Sequence, residues 1–122
     1  MRARLPVLGL AAALAVSAAA CQPAESPAVR YARDPEAVKR GRLIFTGTCG
    51  AYCHSLRPGV RDAPDLFDCH WKHGDRDADL FRVISSGVPD TRMLGFGTAL
   101  PEGEQDIWKL IAFLRVNSRC ES

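Results

Sequence analysis

The sequence is poor in large aromatic side chains, with five Phe, two Trp and two Tyr among 122 residues. A chain of this length forms one domain at most, and so small a core benefits from a covalent cross-link or a cofactor. Surplus charge of one sign is also lacking. The formal net charge is +2, and Arg2 and Arg4 account for it, which argues against a nucleic-acid-binding protein. The 47% hydrophobic and 25% charged residues exclude wholesale disorder.

The N-terminal segment has the order of a secretory signal: a positive start, an uncharged apolar run over 5–20, and small residues at its end. Residues 18–21, Ala-Ala-Ala-Cys, resemble the lipobox of bacterial lipoproteins, in which the cysteine is lipidated. We therefore predict a lipoprotein-type signal peptide over 1–20 and lipidation of Cys21. Ordinary cleavage near this point and an uncleaved anchor helix are the alternatives. Each of them places the folded part outside the cytoplasm, where disulfides persist.

The next residues separate this signal from the folded part. Residues 21–33 contain Pro23 and Pro27 but no periodic apolar face, and we predict a flexible tether there. Residues 34–122 are predicted to form one domain. No stretch within it alternates between apolar and polar residues for long enough to form a strand, so the predicted fold class is all-α.

The domain is predicted to begin with a helix. Asp34, Pro35 and Glu36 provide a capping acid, a proline at the first helical position and an acid in the first turn. Gly47 can end this helix. Inside it, Gly41 costs about 1 kcal/mol relative to alanine, which predicts that a second helix approaches closely at this point.

Two further helices are predicted over 77–86 and 102–116, each with apolar residues at helical spacing. Gly87 is the expected stop of the first of these. The connecting stretches, 55–76 and 88–100, are rich in Pro, Gly and Asp. They are too long for mere connections, which indicates that they carry function.

The first chemical motif is a pair of cysteines followed at once by a histidine. Cys49 and Cys53 can each form a thioether with a haem vinyl group, and His54 can bind the iron. Haem-attachment motifs usually have two residues between the cysteines and here there are three, although cysteines four apart still share a helix face. The alternatives are a redox dithiol, a structural disulfide, or a zinc site completed by residues further along the chain. Those residues are Cys69, His70 and His73.

The second motif is a methionine in a loop. After the predicted signal peptide the chain holds a single methionine, Met93, within the Gly- and Pro-containing stretch 87–97. Lone methionines usually fill gaps in a core. A loop that directly precedes the last helix can instead lie over the open face of a haem, where the thioether would complete the iron coordination.

Taken in order, these features resemble the class I c-type cytochromes, the small bacterial monohaem electron carriers. The resemblance covers 34–119 and is carried by Gly41, Phe45, Cys49, Cys53, His54, 63–66, 87–89, 93–97 and 107–115. It implies the cytochrome c fold, in which the N- and C-terminal helices of three main helices cross around a covalently attached haem.

The resemblance also implies roles for single residues. Cys49 and Cys53 would bind one haem c, with His54 as the proximal and Met93 as the distal iron ligand. The longer spacing leaves attachment through one sulfur open. The carbonyl of Pro64 would accept a hydrogen bond from the other ring nitrogen of His54, which fixes the tautomer. The side chains expected to line the haem pocket are those of Leu66 and Phe96.

The remaining polar residues have competing interpretations. Once the other cysteines are used, Cys69 and Cys120 are left as a pair; we predict a disulfide, with two free thiols as the alternative. His70 and His73 are rival distal ligands, but a polar turn favours solvated surface. Trp71 either donates a hydrogen bond to a haem propionate or occupies a plain core or rim position. A group of arginines has three alternative roles: a docking rim for an acidic partner, neutralisation of the haem propionates, or ordinary solvated surface. The group consists of Arg57, Arg61, Arg76, Arg82 and Arg92.

These assignments predict a one-electron carrier and not an enzyme, because two protein ligands leave no open iron site for a substrate. The expected partners are periplasmic redox proteins, a dehydrogenase as donor and an oxidase or reductase as acceptor, and the chain could be the cytochrome subunit of a dehydrogenase complex. The expected location is the periplasmic side of a bacterial membrane, to which a lipid anchors the chain, with the soluble periplasm as the alternative. The alternatives are a haem sensor or enzyme with Met93 off the iron, and a structural zinc or thiol module.

Overall fold

A computed structural model describes residues 24–120 of the chain. It contains four α-helices: α1 (Pro27–Ala32), α2 (Pro35–Ile44), α3 (Asp77–Ser86) and α4 (Glu104–Val116). A π-helical turn, Phe45–Cys49, continues directly from α2. Within 24–120 there is no strand, and the all-α prediction is confirmed. No helix in this part of the chain is long and apolar enough to cross a membrane.

The helix α2 begins as its sequence predicts and ends differently. The carboxylate of Asp34 accepts a hydrogen bond from the backbone N–H of Glu36 at 2.9 Å, and Pro35 occupies the first helical position. The prediction that Gly47 ends the helix is wrong. The chain instead widens into the π-turn, where the N–H of Gly50 donates to the carbonyl of Phe45 at 2.6 Å. The helical path therefore reaches Cys49.

The segment predicted to be a flexible tether contains α1. Ala28 is 1% exposed and belongs to the hydrophobic core, with Tyr31 and Ala32 packed beside it. The hydroxyl of Ser26 donates to the carboxylate of Asp77 at the start of α3. The prediction is corrected for 27–32, because a short helix with one small buried face can dock on α4 without showing a periodic apolar pattern. Cys21 and the predicted signal peptide lie outside the described residues.

The core lies where α2 crosses α4. A Cβ atom added to Gly41 would collide with the backbone carbonyl of Lys109 and lie 2.8 Å from the Cβ of Phe113, so the two backbones are in contact at this glycine. The rings of Phe45, Phe67 and Phe113 surround the same point, with centroids 5.3 to 5.8 Å apart. The crossing places the π-turn and its cysteine over the loop that contains Phe67.

One ion pair is built into this crossing. Asp106 is fully buried on α4, and the guanidinium of Arg40 on α2 donates to both of its oxygens at 2.9 and 2.8 Å. The N–H of Glu102 donates to the same carboxylate at 3.0 Å. These hydrogen bonds, that from Arg40 above all, hold the pKa of Asp106 below its ordinary value despite the burial.

Candidate functional site

The two cysteines and the histidine are held in one turn at the end of the π-helix. The carbonyl of Cys49 accepts hydrogen bonds from the N–H groups of Cys53 at 3.3 Å and His54 at 3.0 Å. Both thiols are free and half-buried. Burial of the thiol, and to a smaller extent the electrostatic interaction with Cys53, raises the pKa of Cys49 to about 11. Cys49 is therefore a neutral thiol at neutral pH, unlike the thiolate of a redox dithiol.

His54 is buried, with 8% of its surface exposed, and one ring nitrogen is committed. Its Nδ1 lies 2.8 Å from the carbonyl oxygen of Pro64. Because a carbonyl can only accept a hydrogen bond, Nδ1 carries the hydrogen and Nε2 keeps its lone pair. This is the tautomer that a histidine needs in order to bind a metal through Nε2.

Met93 lies in a loop that folds back on the end of α3. Gly87 has a φ of 73°, and a Cβ atom there would lie 2.5 Å from the carbonyl oxygen of Met93. The same carbonyl accepts a hydrogen bond from the N–H of Val88 at 2.9 Å, and the N–H of Phe96 donates to the carbonyl of Ile84 at 2.8 Å. Glycine at 87 is thus required for the loop to close, and it fixes the place of Met93.

An ion pair joins the methionine loop to the loop that follows His54. The guanidinium of Arg92, the residue before Met93, donates to the carboxylate of Asp62. Asp62 is two residues before Pro64, the hydrogen-bond partner of His54. The structure therefore holds the loops that carry the two predicted iron ligands beside each other.

Comparison with known proteins identifies this arrangement. Residues 36–114 match the family described as cytochrome c oxidase, cbb3-type, subunit III. The chain belongs to the class I c-type cytochromes. Its fold is similar to that of cytochrome CL from the marine methylotrophic bacterium Methylophaga aminisulfidivorans MPT, with a TM-score of 0.65, 22% identity, and coverage of 84% of this chain and 73% of that chain. No curated protein matches the sequence significantly.

Membership of this family means that the cytochrome binds haem c covalently, and the residues present fit that group. The turn offers two free thiols for the vinyl groups and an imidazole whose Nε2 is available to iron. Leu66 and Phe96 are half-buried and pack against the core, as apolar pocket residues would. Cys49, Cys53 and His54 would thus hold the group, and a bound haem supplies one-electron redox chemistry.

The zinc alternative finds no support in the cytochrome. Cys69 forms a disulfide with Cys120, with Cα atoms 5.6 Å apart, so its sulfur is not a free thiolate ligand. Among residues 24–120 no group of three His, Cys, Asp or Glu side chains is placed to hold a metal ion. His70 and His73 are both exposed.

The remaining predicted residues are spread over several contacts. Trp71 lies half-buried under the guanidinium of Arg115, 5.6 Å from its ring centroid. Of the five arginines, Arg61 donates to the carbonyls of Tyr52 and Ala51 beside the haem motif. Arg92 lies in the methionine loop, and Arg57 lies on exposed surface. Arg76 binds Asp79 in the first turn of α3, and Arg82 donates to the carbonyl of His73 before that helix. The role of the five arginines as a docking rim stays a prediction.

Sequence reasoning missed Arg119. Its backbone and side chain bind three residues of the loop that follows His54: Leu56, Asp65 and Phe67. The one signal in the sequence was its position directly before Cys120, since a cross-linked chain end must lie against the segment to which it is bonded.

Proposed function

We propose that this c-type cytochrome carries single electrons with a haem whose iron is bound by His54 and Met93. The observation that carries the proposal is the hydrogen bond from His54 Nδ1 to the carbonyl of Pro64, because it leaves Nε2 available to a metal. The ion pair between Arg92 and Asp62 supports Met93 as the second ligand, since it places the methionine loop beside the histidine loop, although both side chains are exposed and the pair adds little stability. Methionine ligation and burial of the haem favour the ferrous state, which raises the reduction potential.

The number of thioether bonds is part of the proposal. Cys49 and Cys53 both lie in the turn that ends in His54, and both are free. We propose that both bind the haem, although the motif has one residue more between the cysteines than is usual. The turn accommodates that residue because the carbonyl of Cys49 still binds the N–H groups of Cys53 and His54.

The proposed partners are periplasmic redox proteins, a dehydrogenase as donor and an oxidase or reductase as acceptor. The description of the matched family names an oxidase subunit, which supports an oxidase as acceptor. We also propose that a lipid on Cys21 holds the cytochrome at a membrane on its periplasmic side. Ser26 is bonded to Asp77 beside the docked α1, and a chain from Cys21 to Ser26 reaches at most about 18 Å, so the proposed lipid would keep the folded part close to the membrane. The carrier would then serve partners in the same membrane at raised local concentration.

The test of the ligand set is an absorption spectrum of protein expressed with haem-attachment machinery, before and after acidic organic extraction. We expect the colour to stay with the chain and the oxidised form to show the weak far-red methionine-to-iron band. Met93→Ala should abolish this band and keep the haem. Leu94→Ala, at the exposed neighbouring position, is the control and should keep both.

Other outcomes of the same experiment would contradict the proposal. A haem protein in which Met93→Ala leaves the spectrum unchanged would favour a sensor or enzyme with an open iron site. A single thioether would show as a pyridine haemochrome spectrum that Cys49→Ser or Cys53→Ser does not alter. The lipid is tested separately by the mass of the mature N-terminus and by loss of membrane association in Cys21→Ala.

A further inference from the structure

The end of the chain returns to the loop that orients His54. We call residues 55–67 the proximal loop; it begins after His54 and contains Pro64. The backbone N–H of Arg119 donates to the carbonyl of Phe67, at the end of this loop, at 2.7 Å. The next residue, Cys120, is bonded to Cys69 two positions further on. Two adjacent residues thus fasten the chain end to the proximal loop.

The side chain of Arg119 spans the same loop. Its Nη2 donates to the carboxylate of Asp65 at 2.6 Å, and its Nη1 lies 3.5 Å from the carbonyl oxygen of Leu56. The guanidinium also lies 5.3 Å from the ring centroid of Phe67. One cation therefore contacts the beginning and the end of the proximal loop.

Asp65 transmits this constraint to the histidine. Its side chain is only 16% exposed, and its second oxygen accepts the N–H of Phe67 at 2.8 Å. The carbonyl of Pro64 and the nitrogen of Asp65 belong to one planar peptide unit. Any contact that fixes Asp65 therefore also fixes the direction of the Pro64 carbonyl, whose oxygen lies 2.8 Å from Nδ1 of His54.

We infer that Arg119 is a positioning residue that, through Asp65, keeps the Pro64 carbonyl on the Nδ1–H of His54 and so sets the reduction potential of the haem. The inference rests on the proposed role of His54 as an iron ligand. A strong hydrogen bond at Nδ1 makes the imidazole more basic and a better electron donor to the iron. Arg119 thereby stabilises the ferric form.

The direction in which the reduction potential shifts distinguishes a positioning role of Arg119 from a general loosening of the fold. When the hydrogen bond at Nδ1 weakens, the imidazole donates less to the iron, and the reduction potential rises. When a variant merely opens the fold, water reaches the haem, stabilises the ferric charge and lowers the potential. The two roles predict shifts in opposite directions.

The experiment compares haem-loaded Arg119→Ala with the wild type. We expect its reduction potential to rise and the Nδ1–H of His54 to exchange with solvent about tenfold faster in the reduced, diamagnetic protein. Asp65→Asn removes the ion pair but keeps an oxygen for the N–H of Phe67, and it should also speed the exchange of the Nδ1 proton. Exchange is the readout for this variant, because loss of the negative charge raises the potential by itself. Arg119→Lys keeps the positive charge and should therefore change the potential and the exchange rate less than Arg119→Ala does. The matched control is Arg76→Ala, which breaks a bidentate pair with Asp79 on α3, away from the proximal loop.

An unchanged potential and exchange rate in Arg119→Ala would overturn the inference. A fall in potential with loss of the methionine-to-iron band would also overturn it, because it would show a loosened fold. Loss of a positive charge by itself stabilises the ferric haem and lowers the potential. A fall of similar size in Arg119→Ala and Arg76→Ala would therefore show a general charge effect, and a rise of equal size in both variants would show that the proximal loop is not involved; either result would count against the inference. If the wild type lacks the methionine band, the distal-ligand proposal fails, yet exchange of the His54 Nδ1 proton still tests Arg119 when it is measured in the reduced carbon-monoxide complex, which is then the diamagnetic form.

Discussion

Gly41 allows α2 and α4 to cross with their backbones in contact. Because a Cβ atom there would collide with the carbonyl of Lys109, Gly41→Ala should lower the free energy of unfolding by about 1–3 kcal/mol, although alanine is the better helix former. Urea unfolding of the haem-loaded protein measures this. The control is Gly47→Ala, since a Cβ at 47 has nothing within 4 Å. Equal stability of the two variants would show that the helices can separate at no cost.

Arg40 makes the stability of the cytochrome depend on pH through Asp106. Since its hydrogen bonds lower the pKa of Asp106 from the ordinary 3.8, the pair stabilises the fold above that pH. This stability is lost as the pH falls through the folded-state value. In Arg40→Ala the carboxylate keeps only the N–H of Glu102, and burial then raises its pKa.

We therefore expect Arg40→Ala to be much less stable than the wild type at pH 7, with the gap narrowing as the pH falls toward 4. Urea unfolding at a series of pH values measures the gap. Lys39→Ala, which breaks an exposed pair with Glu36 on the same helix, should cost little at any pH. A gap that stays constant with pH would mean that Asp106 is not charged in the folded protein.

At the scale of the elements, α1 is held against α4 by one small buried residue. Ala28 is its buried residue, and Ala28→Glu would place an unpaired charge against α4. We expect α1 to leave its site, so that trypsin cleaves after Arg30 and Arg33 about tenfold faster or more, while the haem spectrum stays unchanged. Ala24→Glu, at an exposed position, is the control. Cleavage at wild-type rates in Ala28→Glu would show that the packing of α1 contributes no stability.

The elements also show which structures local sequence can predict. The bounds of α3 follow from acids in its first turn and from Gly87, and the start of α2 follows from Asp34; each signal acts within one turn of the helix it marks. The helix α1 carries one such signal, Pro27 at its first helical position after Ser26, but it has no periodic apolar face, and the π-turn carries no local signal. The helix α1 packs on α4, some eighty residues further along the chain. The π-turn depends on the contact of Phe45 with Phe113, about seventy residues further, and on the open space around Gly47. Their formation is decided by packing, which periodicity does not record.

At the scale of the whole molecule, the chemistry of the site was easier to predict than its support. The adjacency of Cys53 and His54 and the single methionine in a glycine-rich loop are local patterns, and they led to the family. The contacts that orient these residues come from distant parts of the chain: Asp62 for the methionine loop and Arg119 for the proximal loop. Such contacts depend on the folded path of the chain and leave no mark in the spacing of residues.

The disulfide between Cys69 and Cys120 links the segment that follows the proximal loop to the end of the chain. It closes a loop with a sequence separation of 51, which restricts the unfolded chain, so its removal should cost about 2–4 kcal/mol. With the haem kept reduced by ascorbate in every sample, we expect the double variant Cys69→Ser and Cys120→Ser to unfold at a lower urea concentration than the wild type. A thiol reductant should then have no further effect on the variant. The wild type should move toward the variant when reduced. If reduction leaves the wild type unchanged, the contacts of Arg119 and Phe67 alone would be sufficient to hold the chain end.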